Sequence, residues 1–503
     1  MFKLYKHQKK QNKKTIIALK TNNHVLYGAA TGFGKSVALW DLISRDLDDG
    51  KRVLLLAPYR KLIFQLESTF ENINPHVVMG VIDRGSKDSG LILSSMDTMN
   101  NRLRKGSDYF EDVDKIYIDE AHISCNFPPI KNSRMSRLYN KYWLTAQWVG
   151  FTATPIKANG YRLEGWDKVI YKYQTPDLIE MGYLAKFDYF APVDLDISSL
   201  RTNNSGDYVM EDVEELTNTA TAVDSVKKVW KKHGKNKKKV LIFAASIKHA
   251  ELLSESISGS LVIHSKLSDK VQMQILEDFK NSSVGTLINV GILTTGFDDP
   301  TVDMLIIARP IGSDRLYLQV AGRSLRKYGN KRSMIFDMCS CYKKCGLPSD
   351  IRDFNKVKKK TKDDDTDDDT VNIQAIRCPL CDEVSPRSEY TIETITKKKF
   401  ILTNYTCPAC NQKCKMDRKD LAEINELQKV DTKAYKKLNF KKRKSIVTDL
   451  VLEFTKAKPS WSHYIVTTIN KADKSDLLDQ MIGKGTSAKT LWKKVMNLYE
   501  ECK

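Results

Sequence analysis

At 503 residues the chain is longer than one hydrophobic core serves, so several domains are expected. An apolar fraction of 41% excludes a disordered polycation, and a net charge of +20 with a pI near 9.3 points to a polyanionic partner. No apolar run is long enough to span a bilayer and the first residues lack the apolar stretch of a secretory signal, so the expectation is a cytoplasmic protein with no membrane partner.

From Asn23 to about Ile156, short apolar runs alternate with helix-like stretches. Val53–Ala57, Leu91–Leu93 and Lys115–Ile118 have the brief, bounded character of buried parallel strands, and Ser36–Leu47 reads as a helix between strands. Residues 1–185 are therefore expected to form one α/β lobe. A second, over 186–345, repeats the alternation through Val240–Phe243, Leu261–Ile263, Thr286–Ile288 and Met304–Ile307, with the polar stretch Asn203–Thr221 read as an excursion between lobes. Residues 346–370, where Lys358–Lys362 runs into Asp363–Asp369, have the composition of a charged linker; an acidic arm competing for a basic groove is the alternative. A cysteine module over 371–420 and a basic helical tail over 421–503 follow. The tail's lysines either clamp nucleic acid or solvate an amphipathic helix, and Trp461 and Trp492 read as small-domain core.

Three clusters carry chemistry. In Ala29-Ala30-Thr31-Gly32-Phe33-Gly34-Lys35-Ser36, the glycines let backbone N–H groups approach phosphates at a helix N-terminus. Lys35 would reach the β- and γ-phosphates of ATP and the Ser36 hydroxyl would hold Mg²⁺; the strict pattern has Gly where Ala29 stands. Asp119 and Glu120 end the strand Ile116–Ile118, facing the crevice where open α/β sheets bind ligands; Asp119 suits Mg²⁺ and Glu120 the general base. Arg323 and Arg326, three apart, offer guanidinium forks to a γ-phosphate from the other lobe. Separately, Cys378-Pro379-Leu380-Cys381 and Cys407-Pro408-Ala409-Cys410 have the spacing of a structural tetrahedral Zn²⁺ site, with Cys414 near enough to compete; Cys339, Cys341 and Cys345 lack an evident fourth ligand.

These residues, in this order, resemble superfamily 2 helicases over roughly residues 1 to 340. Gln8 resembles the adenine-reading glutamine, Ala57–Leu62 with Gln65 motif Ia, Ser95–Thr98 motif Ib, and Thr152–Pro155 motif III. Leu241–Ser246 resembles motif IV, Gly296-Phe297-Asp298 the end of motif V, and Gln319–Arg326 motif VI. The resemblance implies two tandem RecA-like parallel-sheet lobes ahead of the zinc module and basic tail. It implies nucleotide contacts from Gln8, Gly32, Gly34, Lys35, Ser36, Gly296 and Asp298, and catalysis by Lys35, Asp119, Glu120, Gln319, Arg323 and Arg326. His122, Thr152 and Thr154 would couple hydrolysis to movement, while Arg60 and Thr98 would hold nucleic acid. Where motif V usually has Thr or Ser on a phosphate, this chain has Asn289-Val290-Gly291, leaving Asn289 or Thr294 as substitutes.

The DEAH form and Arg309-Pro310 ahead of Leu316–Gln319 most resemble DNA helicases and translocases related to restriction-enzyme motor subunits, and among these the phage branch-migration helicases of the UvsW type. That implies an ATP-dependent DNA helicase acting on forked or branched DNA in replication, recombination or repair. It would work as a monomer, beside replication or recombination proteins, in the host cytoplasm if phage-encoded. Alternatives are a duplex translocase that parts no strands, an RNA helicase, and an ATP-gated clamp.

Overall fold

The computed structural model describes residues 2–415, except 107–111, 124, 126, 130–132, 134, 158–161, 194–196, 198–199, 204–205, 236–237, 294–296, 353, 355–374, 387–390 and 398–399; for 391–405 and 414–415 the backbone alone is described. Two compact units divide the chain, residues 1–387 and 388–503. The charged run at 358–370, the basic tail, Trp461 and Trp492 lie outside the described residues.

The first unit holds two parallel sheets. One is built from β1 (His24–Gly28), β2 (Val53–Ala57), β3 (His76–Met79), β4 (Ile82–Arg84), β5 (Leu91–Ser95), β6 (Lys115–Ile118), β7 (Gln147–Thr152) and β8 (Lys168–Ile170), in the order β4-β3-β5-β2-β6-β7-β1-β8. All neighbours pair in parallel except the β3–β4 hairpin. The strands read as unbroken apolar runs because helices cover both faces: Val53, Leu55 and Ala57 enter one core while Leu54 and Leu56 enter the other.

Strand order positions the chemistry. The neighbours β1, β7 and β6 are in register at Gly28 with Thr152 and at Ile118 with Gly150. The glycine turn after β1, Thr152 at the end of β7 and the carboxylates after β6 therefore emerge side by side at the carboxyl edge.

The second sheet comprises β9 (Lys186–Phe190), β10 (Lys239–Phe243), β11 (Ser260–His264), β12 (Gly285–Val290), β13 (Met304–Ile307) and β14 (Arg332–Asp337), ordered β11-β12-β10-β13-β14-β9 and wholly parallel. The stretch read as an irregular excursion is largely helical, with helix Met210–Thr217 and the start of helix Ala220–Val229. Its few apolar residues decide this: Val213 and Leu216, three apart, pack with Ile197, Tyr208 and Ala245. A hairpin of β15 (Ala375–Arg377) and β16 (Val384–Pro386) completes the described part of this unit. In the second unit, β17 (Thr391–Lys397), β18 (Phe400–Thr406) and β19 (Lys413–Lys415) form an antiparallel sheet. Among the described residues no helix is long and apolar enough to cross a membrane.

Candidate active site at the interlobe cleft

Between β1 and helix Lys35–Asp48 the chain makes a tight turn that needs Gly32 at φ 87° and Gly34 at φ 82°, a region L side chains avoid. Space excludes a side chain too, because a Cβ on Gly32 would lie 2.4 Å from Leu184 Cδ2. Gln8, on helix Lys6–Ala18, donates from Nε2 to Phe33 O and Gly34 O, both at 3.1 Å. It thus sits beside the phosphate turn with its amide bracing that turn. Ser36 is exposed in the first turn of the helix behind it.

Lys35 Nζ meets Glu120 Oε1 at 2.5 Å and stands 3.6 Å from Asp119 Oδ1. Burial works to lower the Lys35 pKa, but Glu120 and Asp119 together outweigh it and leave it raised, so the ammonium is secured. Burial raises the Asp119 carboxyl against the pull of Lys35, and Asp119 Oδ1 accepts the Glu120 N–H at 3.0 Å. Glu120 has φ 50°, in the left-handed region that residues with a Cβ disfavour, a conformation costing roughly 1–3 kcal/mol. Its buried Oε2 has no hydrogen-bond partner.

From Glu120 a polar chain crosses to the other lobe. Thr152 Oγ1 donates to Thr154 O at 2.8 Å, so its lone pairs accept from the Thr154 N–H at 3.1 Å and from His122 Nδ1 at 2.9 Å. Nδ1 also stands 3.4 Å from Glu120 Oε2. With its proton on Nδ1, the His122 ring turns the Nε2 lone pair toward Gln319 Nε2, 3.4 Å away on helix Asp314–Ala321 of the second lobe. Burial, reinforced by Arg315 and Lys35, drives the His122 pKa well down, which keeps the ring neutral and fits this tautomer. Thr154 Oγ1 is buried without a partner.

Arg323 and Arg326 follow that helix. Arg323 Nη1 donates to Phe297 O at 2.5 Å, and burial first, then Arg326, pulls its pKa down to about 10 against the field of Glu120. Arg323 in turn lowers the Lys35 pKa, so lobe 2 guanidinium and lobe 1 ammonium share one field. Arg326 pairs with Asp298 at 3.3 Å, and its Cδ lies 3.9 Å from where a Gly32 Cβ would be. Gly322 packs so tightly on the phosphate turn that a Cβ there would be 2.4 Å from Thr31 Cγ2.

Other expected residues fall elsewhere. Arg60 is exposed at the start of helix Arg60–Thr69, and Thr98 Oγ1 accepts from Gly80 N at 3.0 Å and Ser95 Oγ at 2.9 Å. Asn289 is fully buried, and its Oδ1 accepts the Leu293 N–H at 3.0 Å, bracing its own loop. Thr294 and Gly296 lie outside the described residues. Asp207, which sequence reasoning passed over, accepts from Arg309 Nη2 at 2.6 Å and Gly312 N at 2.8 Å, fixing the approach to helix Asp314–Ala321. Arg315 was also missed; only its place one turn before Gln319 could have flagged it.

Of the four cysteines with metal-ligand spacing, Cys378 and Cys381 belong to the first unit and Cys407 and Cys410 to the second. Each pair sits in the same backbone turn. The Asp382 N–H reaches Cys378 O at 2.9 Å with Asp382 at φ 61°, and the Asn411 N–H reaches Cys407 O at 2.9 Å with Asn411 at φ 56°. Cys341 and Cys345 Sγ instead approach Arg309 O and Ile311 O at 3.6 Å, as buried structural thiols do. The side chain of Cys414 lies outside the described residues.

The type III restriction enzyme res subunit family matches residues 1–157, and the helicase conserved C-terminal domain family matches residues 221–328. IRC3 of Saccharomyces cerevisiae, whose name assigns it as an ATP-dependent helicase, is 29% identical over 325 residues, covering 60% of this chain and 46% of its own length. A 51.5 kDa protein of a Lactococcus phage is 26% identical over 369 residues, 71% of this chain and 74% of its own. The chain thus spans less than half the length of IRC3. A fragment assigned as the HsdR subunit of a type I restriction enzyme from Vibrio vulnificus YJ016 shares the fold, with a TM-score of 0.51 at 18% identity over 68% of this chain and 65% of that one.

Proposed function

We propose that this chain, an ATP-hydrolysing superfamily 2 helicase by its two matched domains and related to restriction-enzyme motor subunits, translocates on DNA and unwinds or branch-migrates forked and junction substrates. The observation that carries this reading is the convergence of Lys35, Glu120 and His122 from one lobe with Gln319 and Arg323 from the other. Incoming phosphates draw Lys35 off Glu120, which frees the carboxylate to take a proton from the attacking water. Arg323 leaves the Phe297 carbonyl for the developing charge, a contribution of roughly 10³–10⁵ in rate when supplied across a cleft. The His122–Gln319 contact then ties hydrolysis to the separation of the lobes.

Ser36 and Asp119 offer hard oxygen donors suited to Mg²⁺, which when bound neutralises phosphate charge. Zn²⁺ suits the four cysteine thiolates, and both matching turns fit a closed structural site that stabilises a small module. Metal analysis of protein purified without chelator tests this, with one zinc per chain expected. The protein acts as a monomer during replication, recombination or repair.

ATP is incubated with blunt and tailed duplexes, forks, four-way junctions and matched RNAs, with Glu120→Gln as control. Parting or migration of DNA forks and junctions, lost in the variant, is expected; full activity on RNA alone would overturn the reading. The restriction-enzyme relationship favours one second reading, a duplex translocase, which would show duplex-stimulated ATP turnover without strand release.

A further inference from the structure

Helix Asp314–Ala321 faces the first lobe with more than Gln319. Arg315 lies four residues earlier, one turn along the same face, so its side chain is offered to the cleft beside the His122 contact. It is half-buried, yet among the described residues no hydrogen bond or ion pair engages its guanidinium. The contrast with its neighbours is sharp. Arg309 is paired with Asp207, Arg326 with Asp298, and Arg323 bonds the Phe297 carbonyl.

Tyr59, Glu120 and Asp207 act on Arg315 only through their fields. Burial lowers its pKa, and its charge helps keep His122 neutral. A partly desolvated guanidinium without an acceptor is costly, and an oxyanion with several lone pairs relieves that cost.

We propose that Arg315 binds a phosphate oxyanion in the interlobe cleft, one helical turn from the Gln319–His122 contact. Seating that phosphate offsets the arginine's charge beside the His122–Gln319 contact, so occupancy is felt where the lobes meet. The inference rests on the helicase reading. Two sources share this chemistry, the backbone of a bound strand and the terminal phosphate of ATP.

The test uses the full chain as wild type, Arg315→Gln and Arg315→Lys. It measures the affinity of a fluorescent single-stranded oligonucleotide over a salt series, the affinity of a non-hydrolysable ATP analogue, and the ratio of DNA-stimulated to unstimulated turnover. Arg315→Gln should weaken one ligand by roughly tenfold or more, with partial rescue in Arg315→Lys, which keeps the charge. If the strand is the source, the salt slope should also shrink by about 0.7. Loss confined to the analogue assigns the phosphate to ATP. Wild-type affinity for both ligands with an unchanged stimulation ratio would overturn the proposal, and equal thermal midpoints exclude a folding defect. Wild-type turnover that DNA does not stimulate would instead count against the helicase reading, independently of Arg315.

Discussion

Buried carboxylates behind the sheets and in the cleft are treated in opposite ways. Asp337, at the end of β14, accepts from Tyr189 OH at 2.8 Å, Tyr342 N at 3.0 Å and Cys339 N at 3.1 Å. Asp46, behind the first sheet, takes Lys51 at 2.9 Å, Lys115 at 2.7 Å and Tyr117 OH at 2.6 Å. Glu120 holds only Lys35 firmly, keeps Oε2 unbonded and sits on a strained backbone. The saturated carboxylates knit the interior of each lobe, whereas Glu120 keeps an oxygen open, as the proposed general base would.

The largest effect expected from this contrast is in the cleft. Arg323→Ala should lower ATP turnover by roughly 10³-fold or more while ATP analogues still bind. Single-turnover hydrolysis reads it, and a loss of only a few-fold would break the assignment.

Next comes the saturated side. Asp337→Ala strands one hydroxyl and two backbone donors and should cost about 3 kcal/mol or more, visible as a drop in thermal midpoint. Glu120→Gln keeps an oxygen for Lys35 and relieves an unbonded carboxylate oxygen, so it should cost less than Asp337→Ala and leave the midpoint nearer wild type; matching losses in the two variants would erase the distinction.

A smaller effect sharpens the comparison, because His249 on helix Ile247–Ser256 also keeps a buried nitrogen, Nε2, without a partner. Burial lowers its pKa from 6.5 to about 4. The unfolded chain takes up this proton below pH 6.5 and the folded chain does not until about 4, so stability falls as pH drops through that window. The loss should reach roughly 2 kcal/mol by pH 5. His249→Asn should flatten part of the slope in thermal midpoint against pH, and an unchanged slope would rule the histidine out.

What could be read in sequence shared one trait: the chemistry was local. Gly32, Gly34 and Lys35 share one turn, and Asp119 with Glu120 follows one strand, so spacing alone grouped them. Strands such as Val53–Ala57 and Met304–Ile307 were legible because burial on both faces leaves an unbroken apolar run. The burial of Asn289 could not be read in sequence because it depends on a bond to Leu293 that folds the side chain inward. Helix Met210–Thr217 hid behind its charges, since only Val213 and Leu216 mark its buried stripe. Asp207 had no motif, because it matters through Arg309, about a hundred residues away, and the place of Arg315 shows only once its helix meets the other lobe.

Lys35 carries a last consequence. It caps the carboxylate proposed as the general base. On that proposal the enzyme would idle behind a safety catch: a triphosphate able to outbid Glu120 for the ammonium would be the key, so fuel would arm the engine in the act of entering it.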